Sequence, residues 1–407
     1  MKVLVINGDC IQTNTSANLC HIAYIKGLVD SGHDVTLLSA DGRDYNIDPS
    51  IVIPDEVKCY TYYGVSLYEK LSMKKNSKLD SGSGNTVVHQ VNENARIHLC
   101  QKAVKRVKQF VLSMYGIHGI YAKFVKKAQR FKMDEEFDYI LSLSTPVTSH
   151  LLTHNLLKAG HIKGKQWIQI WEDPWYSDAY GFNGDTKIYE EEKRILSYAE
   201  KVCYVSPLTL RNQQRLYSEY ADKMYWQPLP YYYKGEERKT LKQQHNTYGY
   251  FGAYYPAARN LEAFYLAAKE NGIEVNICGD PSSLFCKTDS IHIYSRLPLN
   301  ELKPIEEKTN VLIFLCNRKG GQIPGKIYQY SATNKVILFI LDGTEEEKQV
   351  LRDFFEPFNR YIFCENTVED ISRAIRQIER GEFGNIKNES VEAFNPKETI
   401  RKILEGR

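Results

Sequence analysis

A chain of 407 residues is too long for one ordinary hydrophobic core, and its size predicts two domains of roughly 150 to 230 residues. Hydrophobic content of 43% and charged content of 25% are those of a globular chain, and a net charge of +3 excludes a protein whose partner could be read from overall charge. Nine cysteines, an odd number with no CxxC and no close Cys/His grouping, argue against a disulfide framework and a structural zinc site, and for a reducing cytoplasm.

The opening MKVLVINGD enters a strand, Lys2 to Asn7, and then a turn, without the charged and long apolar regions of a signal peptide. Apolar residues at helical spacing predict a helix over Asn18 to Ser31, ended by Gly32, and Asp34 to Leu38 reads as a second strand, which makes a βαβ opening. No later run approaches the roughly 18 apolar residues of a membrane-spanning helix. Residues 72–95, with KKNSKLDSGSGN inside them, lack periodicity and read as a mobile loop. From Arg96 to Met133 there are ten Lys or Arg and no Asp or Glu, interleaved with Val104, Val107, Phe110, Val111, Phe124 and Val125 at near-helical spacing. This is a basic amphipathic segment.

Strands are then predicted at Tyr139 to Leu143, Trp167 to Ile170 and Lys201 to Val205, with helices near 148–159 and 186–199. A second series follows at Tyr248 to Phe251, Glu274 to Cys278, His292 to Tyr294, Val311 to Leu315 and Val336 to Ile340. Two parallel-sheet domains follow from that alternation. Gln227 to Gly235 (QPLPYYYKG), with two prolines and a glycine, reads as the hinge between them. The expected organisation is an amino-terminal domain at 1–230, a carboxy-terminal domain at 236–385, and a terminal helix within 386–407 that packs back on the first domain. The cleft between the domains becomes the expected active site.

The most informative stretch is Asn310 to Leu341, NVLIFLCNRKGGQIPGKIYQYSATNKVILFIL. Two nearly uncharged, β-rich runs enclose a glycine-rich basic loop just past a strand end, where doubly wound sheets bind ligands and a helix start favours an anion. A phosphate-bearing ligand is the expectation.

Three segments together, KVLVINGDCIQTNTSANLCHIAYIKGLVDSGHDVTLLSA, YFGAYYPAARNLEAFYLAAKENGIEVNICGD and IPGKIYQYSATNKVILFIL, resemble the nucleotide-sugar glycosyltransferases of the GT-B fold, nearest to glycosyltransferase family 4. The resemblance implies an α/β protein of two Rossmann-like doubly wound domains facing across a cleft. It implies a nucleotide-diphosphate sugar donor of UDP or GDP type, held by the carboxy-terminal domain, and a glycan or lipid-linked acceptor on the amino-terminal one. Transfer with retention, in the building of surface polysaccharide or glycoconjugate, is the implied activity. A GT-B epimerase or hydrolase and a non-catalytic GT-B scaffold subunit are the alternatives.

Residues are carried over by motif. Gly8 matches the glycine that lets backbone approach the donor phosphates, against the plainer reading of a βα-turn glycine; Asn14 to Ser16 read as a helix cap. Arg259, just before a helix, matches the basic residue on the diphosphate, where a guanidinium fork suits two phosphates and the charge of a leaving group; a solvated helix-start arginine is the alternative. The second arginine of the family is Ala253 here, and Arg318, Lys319 or Lys326 is expected to supply the charge. Gly325 and Lys326 belong to the phosphate turn. Gln329 stands where a carboxylate would accept from the ribose hydroxyls, and Gln322 stands seven residues before it in place of the paired glutamate, so the charge-assisted part of that contact is lost. Gly279, Arg296 and Leu297 fall where the base is cradled. In the amino-terminal domain, SLSTPVTSH (142–150) and WIQIWEDPW (167–175) face the cleft, and Asp173 is the carboxylate expected near the reacting sugar, with Glu172 its rival. Trp171 and Trp175 offer flat faces for a sugar but are more often core. No metal site and no cofactor beyond the donor are expected.

The basic segment has three readings: an anionic membrane surface, a solvated hairpin packed on its own domain, and nucleic acid. No nucleic-acid module accompanies the charge, so nucleic acid is not expected as a partner. Each basic residue near an anionic leaflet contributes about 1 kcal/mol, which is enough for a peripheral position on the inner face of the cell membrane. Changing Lys105, Arg106, Lys108, Lys126 and Lys127 to Glu is expected to abolish sedimentation with anionic liposomes; unchanged binding excludes the membrane reading.

Overall fold

The computed structural model describes residues 1–66, 70, 116–177, 184–235, 246–279 and 285–406. The loop expected at 72–95 and the 96–115 part of the basic segment lie outside them.

The first sheet contains β1 (Lys2–Asn7), β2 (Asp34–Ala40), β3 (Lys58–Tyr62), β4 (Glu136–Ser144), β5 (Lys163–Trp171), β6 (Lys201–Tyr204) and β7 (Met224–Trp226), in the order β3-β2-β1-β4-β5-β6-β7. The second contains β8 (Thr247–Phe251), β9 (Glu274–Cys278), β10 (Ile291–Tyr294), β11 (Val311–Leu315), β12 (Val336–Leu341) and β13 (Ile362–Glu365), in the order β10-β9-β8-β11-β12-β13. Every neighbouring pair is parallel. This is the expected α/β architecture of two doubly wound sheets. In each, the strand order reverses once, between β1 and β4 and between β8 and β11, and a crevice opens at the carboxyl ends there. Central strands are covered on both faces: all five residues of β11 and five of six in β12 are buried.

Three strands lie outside the expected set for visible reasons. Strand β3 is a sheet edge with an exposed face, β7 has three residues, and β13 mixes buried and half-buried positions. The first helix, Ser16–Asp30, starts two residues before its apolar periodicity because the Thr15 side chain accepts from the Asn18 amide at 3.1 Å.

The described part of the basic segment is packed. Helix Ala122–Ala128 buries Phe124, Val125 and Ala128 in the amino-terminal core, while Lys126 is exposed and Lys123 and Lys127 each lie 4.8 Å from the Tyr63 ring. At the other end of the chain, helix Pro396–Glu405 lies against Ser16–Asp30, where a side chain at Gly27 would collide with the Pro396 carbonyl. The Tyr225 hydroxyl donates to Ile403 O at 2.7 Å and the Lys201 ammonium to Glu405 O at 2.8 Å, so chain beyond the second sheet is tied to the first.

Two further contacts set how the sheets face each other. The Ser206 hydroxyl, which caps helix Pro207–Leu216, donates to Gly321 O at 2.5 Å. In the hinge segment, Gln329 accepts from the Tyr232 amide at 2.9 Å and donates to Tyr233 O at 2.7 Å. The second bond explains why an amide stands at 329: a carboxylate could not donate, and its charge would face the Tyr233 carbonyl. Gln329→Glu is therefore expected to lower stability by about 1 to 2 kcal/mol above neutral pH, read as a drop in urea midpoint, without tightening nucleotide binding. Tighter binding would return residue 329 to the ribose.

Candidate functional site

The carboxyl ends of both sheets face a cleft of about 530 Å³, a size that suits a small-molecule ligand. Of the residues singled out from sequence, Asp173, Arg259, Gly279, Arg296, Leu297, Gly325 and Lys326 all line it, drawn from both domains. The start of helix Ser16–Asp30, from Asn14 to Ala17, also lines it, with the amide ends of a 15-residue helix at the rim. A wider groove of about 830 Å³ lies at the opposite end of the first sheet, between Met1, His33, Tyr139 and the terminal helix; it is away from the strand ends that carry the functional loops.

On the carboxy-terminal side, Gly252 follows β8 and Gly279 follows β9, and a side chain at Gly279 would collide with the Gly252 carbonyl, so the two strand ends close on each other. Arg259 lies beyond β8. Its Nε donates to Asn317 Oδ1 at 2.7 Å and one terminal nitrogen to Ala253 O at 3.3 Å. Both partners are neutral, so the guanidinium is fixed without its charge being cancelled. Lys326 is different: its ammonium pairs with Glu306 at 3.0 Å. The helix that Lys326 opens, Lys326–Tyr330, has only five residues, so the turn at Gly325 offers a few amides rather than a strong dipole.

Three expected residues lie elsewhere. Gly8 is not in the cleft; its amide donates to Ser149 Oγ at 2.8 Å, and a Cβ there would sit 2.9 Å from the Ser149 nitrogen. Packing of β1 against the 148–158 helix requires this glycine, and its φ is not in the left-handed region. Arg318 is exposed and donates to Pro256 O at 3.2 Å, which holds the 255–258 turn and leaves the cleft to Arg259. Gln329 holds the hinge, as described, and does not line the cleft. Gly321 forms the seat for the amino-terminal domain, and of the glycine-rich loop expected to cradle phosphate the residues from Gln322 to Lys326 line the cleft. Trp171 and Trp175 are core residues, 0% and 8% exposed.

On the amino-terminal side, Asp173 accepts from Gln322 across the cleft and from Thr145 at 3.4 Å, so it bridges the domains. Glu172, beside it, is 9% exposed and lines the cleft. Burial pushes its carboxyl up to about 7, with the neighbouring His21 pulling the other way. His21 is fully buried, with Nε2 3.4 Å from Glu172 Oε1 and Nδ1 2.8 Å from Asn7 Oδ1. The loop itself is held by a second buried carboxyl, Glu192, which accepts from the Tyr176 amide at 2.5 Å. His21 and Asn7 were not legible beside Glu172, since each lies within an ordinary strand or helix pattern and only the pairing of β1 with β4 and of β4 with β5, with helix Ser16–Asp30 beside them, brings the three together. Among the described residues, no group of three His, Cys, Asp or Glu could hold a metal ion, and no helix is long and apolar enough to cross a membrane.

No family model and no curated protein sequence matches this chain. Solved structures do. Sucrose-phosphate synthase from Thermosynechococcus elongatus is 13% identical, with a TM-score of 0.53 over 99% of this chain and 94% of that one. Anabaena HepE in complex with UDP-glucose is 11% identical, with a TM-score of 0.52 over 100% of this chain and 97% of that one. The lipopolysaccharide outer core galactosyltransferase WaaB in its apo form is 11% identical, with a TM-score of 0.51 over 100% and 99%. At these identities the likeness concerns architecture, and with the two facing parallel sheets it gives this chain the GT-B fold.

Proposed function

We propose that this chain is a glycosyltransferase that moves a sugar from a nucleotide-diphosphate donor to a glycan or lipid-linked acceptor in the interdomain cleft. The observation that carries the reading is Arg259: a guanidinium pinned by two neutral partners, aimed into a cleft at the carboxyl ends of two parallel sheets. A fixed, uncancelled cation there stabilises the diphosphate as the glycosidic bond breaks and negative charge grows on the leaving group. Lys326 and the amides after Gly325 supplement it; Gly279, Arg296 and Leu297 flank the base. Binding of UDP-glucose by the like-folded HepE supports a uridine donor over a guanosine one. Retention, hexose as the transferred sugar and a role in surface polysaccharide are further parts of the proposal that rest on the resemblance to family 4.

The experiment is a thermal-shift panel of UDP, GDP and their sugars, since a ligand that binds only the folded chain raises its melting temperature by mass action. A selective shift with a UDP-sugar is expected, and no shift with any nucleotide overturns the reading in favour of a scaffold. Product analysis with donor alone separates transfer from epimerisation and hydrolysis. Arg259→Gln is expected to lower kcat/KM about 100- to 1000-fold, with the fold intact by circular dichroism; an unchanged value removes Arg259 from the diphosphate. Activity is expected to survive EDTA, and a large loss restored by magnesium would contradict this.

A further inference from the structure

Resting on the glycosyltransferase reading, we infer that Glu306 competes with the donor diphosphate for Lys326, and that this exchange of partners carries donor occupancy to the hinge at Tyr233. Glu306 stands on helix Leu299–Lys308, whose residues Leu299 and Leu302 line the cleft. Its carboxylate faces two ways: Oε1 lies 3.0 Å from the Lys326 ammonium, and Oε2 accepts from the Tyr233 hydroxyl at 2.9 Å. Burial and the nearby Glu306 push the Tyr233 phenol up, so its hydroxyl keeps the proton it donates. Lys326 lines the cleft of about 530 Å³, whereas Glu306 lines a separate cavity of about 150 Å³ beside Tyr233, Lys303 and Gln329. The ion pair joins the two spaces.

The pair is built for exchange. The Lys326 side chain is 34% exposed and carries three donors on a flexible stem, so it can turn to a phosphate oxygen. A diphosphate bears more negative charge than one carboxylate and draws the ammonium more strongly at equal distance. Glu306, at 13% exposure, is then left with Tyr233 as its donor, and a part-buried carboxylate deprived of its cation is costly. Lys303, one turn back on the same helix, lines the same cavity with its ammonium 5.7 Å from the centre of the Tyr233 ring, and is the cation placed to take over. The free chain thus has Glu306 on Lys326 and Tyr233, and the donor-bound chain has it on Lys303 and Tyr233. Gln329, on the short helix that Lys326 opens, donates to the Tyr233 carbonyl, so movement at either end of the exchange bears on the hinge. Glu306 is a positioning residue that acts on the donor through Lys326. By holding Lys326 back it weakens binding of the nucleoside diphosphate product and speeds its release.

The test titrates UDP into the full chain by calorimetry and follows UDP release by stopped flow. Glu306→Gln keeps the shape of the side chain and removes the competing charge, so it is expected to tighten UDP binding at least about 5-fold, with slower release. In a chain already carrying Lys326→Gln, the same Glu306→Gln change is expected to leave UDP affinity unaltered, because there is no ammonium to free. Tyr233→Phe makes the carboxylate depend wholly on Lys326 and is expected to weaken UDP binding about 2- to 5-fold. Damage to packing would weaken binding in both single variants, so the opposite signs separate competition from a structural role. Hydrogen exchange reads the hinge: UDP is expected to alter exchange of the Tyr232 to Gly235 amides in the wild type and not in Glu306→Gln. If Glu306→Gln does not fold, Glu306→Asp, one methylene short of Lys326, carries the same expectations. UDP binding no tighter in the Glu306 variant, or equally tightened when Lys326 is absent, overturns the inference alone. No nucleotide binding by the wild type overturns the glycosyltransferase reading and the inference together.

Discussion

A side chain at position 321 would have to enter the left-handed region, at φ +71°, and press its Cβ to within 3.0 Å of Leu208. Only a glycine lets the carboxy-terminal loop settle so closely on helix Pro207–Leu216, where Ser206 and Thr209 both donate to the Gly321 carbonyl. That seat holds the carboxyl ends of the two sheets face to face. The residues that follow, Gln322 to Lys326, are directed into the cleft as a consequence, and Gln322 reaches Asp173. Other contacts add to it: Asp48, held by Asn14 of its own domain, accepts from the Leu299 amide, and Tyr232 of the hinge donates to Ser50 O. The exposed Arg211–Glu346 pair adds little, since such pairs are worth about 0 to 1 kcal/mol.

The cleft so formed is electrically polarised. On the carboxy-terminal wall Arg259 is held by neutral partners and Arg296 also lines the cleft, while Lys326 is offset by Glu306. On the amino-terminal wall stand two adjacent carboxyls in different surroundings. Asp173 is supported by donors from both domains; Glu172 is buried beside a histidine and holds its proton up to about 7. Adjacent carboxyls in such different surroundings differ in proton affinity, and Asp173 is the one that bridges the domains.

The fold was legible because its signals are local. Continuous apolar runs such as VLIFL and VILFIL have few alternatives to covered parallel strands, and alternation with helical periodicity gives the doubly wound arrangement. Edge strands were not legible: KCYTY in β3 buries little, so no pattern marks it. Gly279 and Arg259, singled out by motif, both line the cleft. Gln329 was misjudged because a motif position says where a residue sits in the chain, whereas its side chain turns to whatever backbone lies nearest, here Tyr232 and Tyr233. Gly321 is a similar case, since close approach to a phosphate and to another domain demand the same residue. His21 and Asn7 matter only through tertiary pairing, which no spacing reveals.

The central claim is that a nucleoside diphosphate lies between the domains with its phosphates on Arg259, and a crystal structure of the chain with UDP tests it most directly. The account predicts the diphosphate within hydrogen-bond distance of the Arg259 guanidinium and the turn at Gly325, with the base beside Gly279 and Arg296. UDP bound elsewhere, or in the cleft without contact to Arg259, would contradict it.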